Sequence, residues 1–390
     1  MKQVLHEKMQ YLFFYVGNWN CRILSWLQKE KNRVIIYACT ITQKKRGEKM
    51  AVTMQQIADL AGVSRGTVDR ALNNRGRIRP EVAEKIKMIA KELGYQPNIA
   101  AKALSSGNQI LRIGVILQYA DTPTIQTVLE GAKDAKQEVE RFGGRVMIDQ
   151  IKGGDVRQVL DIMRGYKEAG MKGIVLMPSN DEMLKNTINR YVDDGIEIIT
   201  INSDLEDTKR RCFVGQDNYA GGCVAGGLMG EIIPDGGKVM IISGSADNTA
   251  TVKRTKGFIA ELSYHYPSIK ILEPRFAYDD NWVAGKLLEE QLEITPDLKG
   301  IYMPAQGEIG VCKILKKYEL EKKIKLIVHD YEGENKKNLK EGVIDFVLRQ
   351  DAYAQGYESV MEIFHSLCGN PGHKEEFCYE DIVIKTRCNL

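Results

Sequence analysis

The sequence predicts an all-α helix-turn-helix head followed by an α/β body of two doubly wound parallel-sheet subdomains with a ligand cleft between them. Three observations carry this. Two short amphipathic segments meet at a tight corner, Ala61-Gly62-Val63-Ser64, the pattern of a helix-turn-helix. From Arg112 onward short apolar runs alternate with longer amphipathic ones, as parallel strands covered on both faces by helices require. Charge divides with the pattern. Residues 1–50 hold ten Lys/Arg and three Asp/Glu, residues 51–107 hold nine and five, and 36 and 44 are left for 108–390. A basic head on an acidic body points to a polyanionic partner for the head.

The bulk figures set bounds. A chain of 390 residues is too long for one small core, so two or three domains are expected. Eight cysteines form neither a CxxC pair nor a metal-ligand spacing with the five histidines. They read as reduced thiols of a cytoplasmic protein without metal or other cofactor. No apolar run approaches the ~18 residues of a membrane span, so no membrane partner is expected.

In the head, Thr53 followed by Gln56 forms a capping box. Ile57, Ala58, Leu60 and Ala61 supply one apolar face, and Gly62 ends the helix because it tolerates positive φ. Ser64 caps the next helix, which buries Val68, Ala71 and Leu72 and leaves Arg65, Gly66, Asp69 and Arg70 on or near the other face. A third helix starts at Pro80, a good first-turn residue, turns Val82, Ile86, Ile89, Ala90 and Leu93 inward, and stops at Gly94. In such a unit the second helix can enter the major groove with its first residues at base edges. The plainer alternative is a three-helix bundle with a solvated basic face.

The stretch VTMQQIADLAGVSRGTVDRALN, with ELGYQPNIAAKALSSGNQILRIGVIL further on, resembles the lactose-repressor family of bacterial transcription regulators. The resemblance implies base contacts from Arg65, Gly66 and Arg70, with specificity resting more on Arg65 because Gly66 has no side chain. Thr53, Ser64, Thr67 and Asn73 complete the DNA-facing set it implies. Asp69 stands where the family usually has Ser. An acid near phosphate is unfavourable, so Asp69 either orients an arginine or accepts from a cytosine amine. In QPNIAAKALSSG, Asn98 can cap a helix just under two turns long, too short to be stable alone in water. By resemblance it is a hinge helix that orders on operator DNA. Asn98 and Ala101 contact DNA, and Leu104 wedges into the minor groove, an insertion that kinks the duplex. The head is placed at 50–96, the hinge and linker at 97–107, and the effector-binding and dimerisation body at 108–390.

Nine apolar runs mark the strands of the body: IGVIL, RVMIDQI, GIVLMP, IEIITIN, KVMIISG, IKILEP, GIYMP, KLIVHD and DFVLRQD. They are too many for one compact sheet. Open α/β sheets bind ligands beyond the carboxyl ends of their strands, and polar residues recur there. Gln118 and Tyr119 follow the first strand, and Asn202, Ser203 and Asp204 follow IEIITI. Gln306, Asp330 with Tyr331, and Gln350 with Asp351 follow the last three. Amides, carboxylates, an arginine and aromatics converging on one cleft suit a hydroxyl-rich small molecule, although any one strand-end residue can equally be a cap.

The resemblance extends here too, to the type I periplasmic-binding-protein fold shared with ribose-type binding proteins. KRTKGF resembles the Arg-x-x-Gly-Phe element whose arginine, Arg254, holds ligand hydroxyls or a carboxylate. VHDY carries Asp330 at the usual ligand carboxylate, and RQD carries Gln350 on the last crossover. Tyr119, Ser203 and Trp282 are further expected ligand contacts, with Asp279 beside Trp282 as a candidate wall. Gln306 stands where Asn or Asp is commoner, and Asn202 where ribose-binding relatives have Asp. The ligand class therefore stays open among sugars, polyols, modified sugars and nucleosides.

The function these features imply is a ligand-responsive transcriptional regulator, a repressor, that binds palindromic double-stranded operator DNA as a homodimer and senses a sugar or polyol. An exported solute-binding protein for sugar uptake is the competing reading. It needs a signal peptide, which YLFFYVG before polar NWNCR does not supply, and it leaves 51–107 unexplained. No enzyme is expected, because the sequence has no P-loop ending, nucleophile elbow or HExxH. Residues 1–49 lack periodicity and end in QKKRGEK before Met50. Purine-rich codons for that string can hide a ribosome-binding sequence, so Met50 is the expected start and 1–49 a translated leader. The alternative is a disordered basic arm adding nonspecific DNA affinity.

Overall fold

A computed structural model describes residues 52–72, 78–93, 110–370 and 375–390. The chain divides into two compact units, Met1–Asn98 and Ile99–Leu390. Asn73, Gly94, Asn98, Ala101, Leu104, the hinge at 97–107 and the segment 1–49 lie outside the described residues.

Among the described residues the head holds three helices: α1 (Met54–Ala61), α2 (Arg65–Leu72) and α3 (Pro80–Leu93). Thr53 and Gln56 form the capping box in both directions. The Gln56 N–H donates to Thr53 Oγ1 at 3.3 Å and the Thr53 N–H to Gln56 Oε1 at 2.8 Å. Gly62 closes α1 at φ 71°, its N–H returning to Ala58 O. The Lys85 ammonium donates to Ala61 O at 3.2 Å, satisfying a carbonyl at the negative end of the helix dipole. Ile57, Ala58, Val68, Ala71, Ile86 and Ala90 are the buried centre, with Leu72, Val82, Ile89 and Leu93 packed half-buried around it.

The body has two sheets, as the excess of strands demands. In the first, β1 (Arg112–Leu117), β2 (Arg145–Gln150), β3 (Gly173–Leu176), β4 (Glu197–Ile201), β5 (Cys212–Gln216) and β12 (Phe377–Glu380) run in the order β12-β5-β4-β3-β1-β2, all parallel. The second holds β6 (Gly237–Ser243), β7 (Ile269–Ile271), β9 (Leu298–Met303), β10 (Lys325–His329), β11 (Phe346–Arg349) and β13 (Val383–Lys385) in the order β13-β11-β10-β9-β6-β7, with β8 (Arg275–Phe276) also paired to β6. Among the described strands of this sheet only β13 is antiparallel.

Helices cover both faces of each sheet. In the first lobe α4 (Pro123–Arg141) and α12 (Ala352–Leu367) pack on one side, α5 (Val156–Glu168) and α6 (Glu182–Asp193) on the other. In the second, α7 (Asn218–Ile232) and α8 (Thr249–His265) face α9 (Asn281–Ile294), α10 (Glu308–Lys317) and α11 (Glu334–Glu341) across the sheet. This explains why the strands read as continuous apolar runs. Val239 and Ile241 of β6 enter one core, while Met240 and Ile242 enter the other.

One helix pair in each lobe approaches through reciprocal glycines. A Cβ on Gly222 would lie 2.0 Å from Arg254 O, and one on Gly257 would lie 2.1 Å from Tyr219 O. Gly131 and Gly356 play the same part for α4 and α12, at 2.1 Å from Tyr353 O and 2.0 Å from Val128 O. The glycine of KRTKGF is therefore where α8 touches α7, and its Phe258 stacks on Tyr302 at 4.1 Å.

Candidate functional site

On the head, Ser64, Arg65, Gly66 and Arg70 are exposed, Thr67 and Asp69 half-buried, and Thr53 exposed at the start of α1. Ser64 Oγ accepts from the Thr67 N–H at 3.2 Å and lies 2.9 Å from Thr67 Oγ1. These two hydroxyls thus organise the first turn of α2. Arg70 Nε donates back to Gly66 O at 3.1 Å, one turn earlier on the same helix. Arg65 stands at the first position of α2, where a groove-entering helix presents its base-reading residues.

In the body the strand ends converge. Tyr119, Thr124 and Asn202 of the first lobe meet Arg254, Asp279, Gln306 and Asp330 of the second, with Gln350 on the crossover after β11, around one cleft of about 60 Å³. Asp330 is its hub. Its Oδ2 accepts from Thr124 Oγ1 at 2.9 Å and Gln306 Nε2 at 3.2 Å, and its Oδ1 from Gln350 Nε2 at 2.6 Å. Asn202 Nδ2 donates to Gln350 Oε1 at 3.3 Å, which also accepts from Gln355 Nε2 at 2.9 Å. Amides and a hydroxyl therefore bridge the lobes through one carboxylate.

Arg254 is 4% exposed. It donates from Nε to Asn218 Oδ1 at 2.8 Å and from a terminal nitrogen to Pro304 O at 3.1 Å. Its carrier α8 is capped by Asn248, whose Oδ1 accepts from the Ala250 and Thr251 N–H groups. Tyr119, Asn202, Asp279 and Asp330 all sit at positive φ, 52°, 61°, 62° and 66°. A non-glycine residue takes that conformation at a cost of roughly 1–3 kcal/mol, less for Asn and Asp. Concentrated at strand ends, it is a mark of a built site.

Electrostatics follow from burial. The Asp279 carboxyl is raised above its usual range by burial and by the Asp330 charge, against a bond from the Gln306 N–H. Burial and then the carboxylates Asp279 and Asp247 raise the Tyr119 phenol. Behind the cleft, burial and the Arg254 charge hold His329 neutral, well below its ordinary value.

Two expected contacts stand elsewhere. Trp282, in the first turn of α9, is 72% exposed and does not line the cleft. Ser203 is buried outside the lining, bound to Thr249 Oγ1 at 2.7 Å. Other strand-end residues are structural. Gln118 bonds Met177 O at 2.7 Å, Asp351 caps α12, and Tyr331 lies between Lys336 and Lys385. Asp204 is paired with buried Arg210. Burial would raise its pKa, but the bonds from Arg210 and Thr200 more than offset this and lower it. Thr124, Asn248 and Thr251 line the cleft without having been singled out. Each is a small hydroxyl or amide residue in a helix-start sequence, where capping is the ordinary role.

The fold and the cleft are those of a two-lobed binding domain. Residues 113–371 match the family described as periplasmic binding protein domain, and residues 53–98 match the bacterial regulatory proteins of the lacI family. The chain belongs to the periplasmic-binding-protein domain family, and it carries a lacI-family head before that domain. It is 28% identical over 210 residues to the ribose operon repressor of Lactococcus lactis, covering 54% of this chain and 59% of that protein. To the sucrose operon repressor of Staphylococcus xylosus it is 25% identical over 290 residues, covering 74% and 80%. The match to regulator RegA of Clostridium saccharobutylicum, 30% identical over 138 residues, spans 35% of this chain and 40% of that one. The first two curated relatives are thus matched over 59% and 40% of their own length.

Among solved structures, a glucose-galactose binding protein from Geobacillus stearothermophilus superposes with TM-score 0.67 at 23% identity, over 73% of this chain and 99% of that one. A solute-binding protein from Burkholderia graminis, in complex with D-arabinose, superposes with TM-score 0.66 at 23% identity, over 72% and 96%. At such identities the likeness is one of fold. Among the described residues no helix is long and apolar enough to cross a membrane.

Proposed function

We propose that the chain is a ligand-responsive DNA-binding transcriptional regulator, a repressor that releases or engages its operator when a sugar or sugar-like polyol fills the cleft. The observation that carries this reading is the joining, in one chain, of a lacI-family head at 53–98 to a periplasmic-binding-protein domain at 113–371. Relatives named as ribose and sucrose operon repressors support it. The solute-binding neighbours fit the body alone and leave the head without a use.

In this reading Arg65 and Arg70 of α2 read base edges, and Thr53, Ser64 and Thr67 hold the backbone register. One head reads a half-site, so two copies bind a palindrome. In the cleft Asp330, Gln350, Gln306 and Asn202 exchange their mutual hydrogen bonds for ligand hydroxyls, Arg254 adds guanidinium donors, and Tyr119 covers a C–H face. The Thr124–Asp330, Gln350–Asp330 and Asn202–Gln350 bonds link the lobes, so replacing them changes the lobes' equilibrium. Ligand alters DNA affinity through that change, and a coupling of roughly 1–3 kcal/mol gives a 5–150-fold effect.

Fluorescence anisotropy of a labelled operator duplex, titrated with the full chain in the presence and absence of sugars, tests this. A sugar that binds the chain and shifts operator affinity supports it. Sugar binding with no DNA binding under any condition contradicts it and favours the solute-binding reading.

A further inference from the structure

Beyond Asp330 the cleft continues into a second cavity of about 190 Å³, larger than the cleft itself at about 60 Å³. The two share Thr122, Thr124, Asp279, Gln306 and Asp330. The second is strongly one-signed. Asp121, Asp279, Glu308, Asp330, Glu332 and Glu334 line it, and no lysine or arginine does. Outside the lining, Lys336 and Arg349 are the cations that act on Glu332.

Its inner end is built from acceptors. Glu308, at the first position of α10, is 6% exposed, and Asn335 of α11 is 3% exposed. Asn335 Nδ2 donates to Glu308 Oε1 at 2.9 Å and to Asp330 O at 3.0 Å, which fixes which way the amide points. That leaves Glu308 Oε2, Glu332 Oε2 and Asn335 Oδ1, all buried and all without a hydrogen-bond partner. Asn335 Oδ1 is an acceptor, and each carboxyl oxygen is one when its group is ionised, the form that a nearby cation favours. A hydroxyl brings one donor along with lone pairs of its own. A protonated primary amine brings three donors and a positive charge and no acceptor, and its bonds to carboxylates are charge-assisted. Among the described residues no group of three or more acidic, His or Cys side chains is arranged to hold a metal ion, so the geometry favours an organic cation.

We infer that this annex recognises a protonated amine, so that the effector is an amino sugar or amino polyol whose hydroxyls lie in the cleft and whose ammonium meets Glu308, Glu332 and Asn335. The inference rests on the reading of the cleft as a polyol site.

Isothermal titration of the full chain at neutral pH, with glucosamine, galactosamine and mannosamine each set against its parent hexose and its N-acetyl derivative, tests it. The expected result is that one amine binds about ten- to a hundredfold tighter than both of its neutral partners. In Glu308→Gln and in Glu332→Gln the ratio of amine to parent affinity should fall to near one, with a cooperative melting transition retained. If parent or N-acetyl sugar binds as tightly as the amine, or if the ratio survives both variants, the amine assignment is overturned and the polyol cleft stands. Displacement of a bound amine by Mg²⁺ or Ca²⁺ would overturn it in favour of a metal site. If no sugar of any series binds, the polyol reading falls and the inference falls with it.

Discussion

Gln350 Nε2 donates to Asp330 Oδ1 at 2.6 Å, and this bond joins the last crossover between the lobes to the carboxylate at the end of β10. Thr124 reaches the other oxygen of Asp330 from the first lobe, so the group proposed to receive a ligand also links the lobes. Asp330→Ala should lower affinity for the cognate ligand by at least about tenfold, a loss of roughly 1.5–3 kcal/mol for charge-assisted hydrogen bonds. Because the same substitution removes bonds that link the lobes, affinity for operator DNA measured without ligand should also shift, in the direction in which ligand shifts it in the parent chain. Arg254→Ala should also abolish the ligand response, and it carries a second cost. Asn218 Oδ1 and Pro304 O lose their donor, which costs about 1–3 kcal/mol each where they remain buried, so its melting temperature falls as well. Titration calorimetry and thermal melts separate the two effects.

The glycines of α7 and α8 set where Arg254 stands. Gly257→Ala places a Cβ against the carbonyl of Tyr219 and should destabilise the body by about 1–3 kcal/mol or more through overpacking. Gly165 in α5 is a matched control, since a Cβ there meets nothing within 4 Å. Gly165→Ala should stabilise by roughly 0.5–1 kcal/mol. Opposite signs in denaturant melts are expected. Equal effects would mean that the helix contact is not as close as described.

Burial, then the Asp330 and Asp279 charges, push the Glu308 carboxyl from an ordinary 4.5 up to about 7. A raised folded pKa stabilises the fold where both states are protonated, and this contribution is lost as pH rises. The unfolded chain ionises first, above about 4.5, and the penalty is complete above about 7. The parent chain should therefore lose stability between these values by up to about 3 kcal/mol from this group. Glu308→Gln removes that slope. Its melting temperature relative to the parent should rise from pH 5 to pH 8, and a pH-independent difference would contradict the assignment.

In the head, Arg65→Ala should cost roughly 1–3 kcal/mol of operator affinity, the worth of one base-reading bidentate contact, and relax specificity at that base pair. Leu104→Ala should weaken operator binding while leaving ligand affinity intact. Electrophoretic shifts on the cognate site and on single-base variants, alongside ligand titration, check both. Loss of ligand binding in either variant would contradict a division of labour between the two units.

Much of this was legible in the chain because the signals are local. Thr53 with Gln56, Gly62 and Ser64 are caps, and caps are set by their immediate neighbours. The fully buried strands announced themselves as apolar runs because both faces are covered. Four strands lack a clear apolar run: β5, an inner strand that follows a polar stretch and contains Gly215, β8, which is only two residues, and the edge strands β12, FCYE, and β13, VIK. In the cleft, Arg254, Gln306, Asp330 and Gln350 were visible as polar residues at strand ends or in KRTKGF. Whether such a residue faces the ligand or a neighbour was not, because that depends on distant partners. Asp204 is taken by Arg210, and Trp282 turns to solvent from the first turn of α9. The positive φ of Tyr119, Asn202, Asp279 and Asp330 has no sequence signature. Glu308, Glu332 and Asn335 read as ordinary surface residues of charged helices until folding brings them to one cavity.

The measurement that bears most directly on the whole account is selection of bound sequences from random duplex DNA by the full chain, run without ligand and again with a mixture of hexoses and hexosamines. A ligand-responsive repressor predicts an enriched palindrome with a pyrimidine–purine step at its centre, where a leucine wedge most easily unstacks the duplex. It also predicts that enrichment differs between the two conditions. No enriched sequence in either condition would contradict the account.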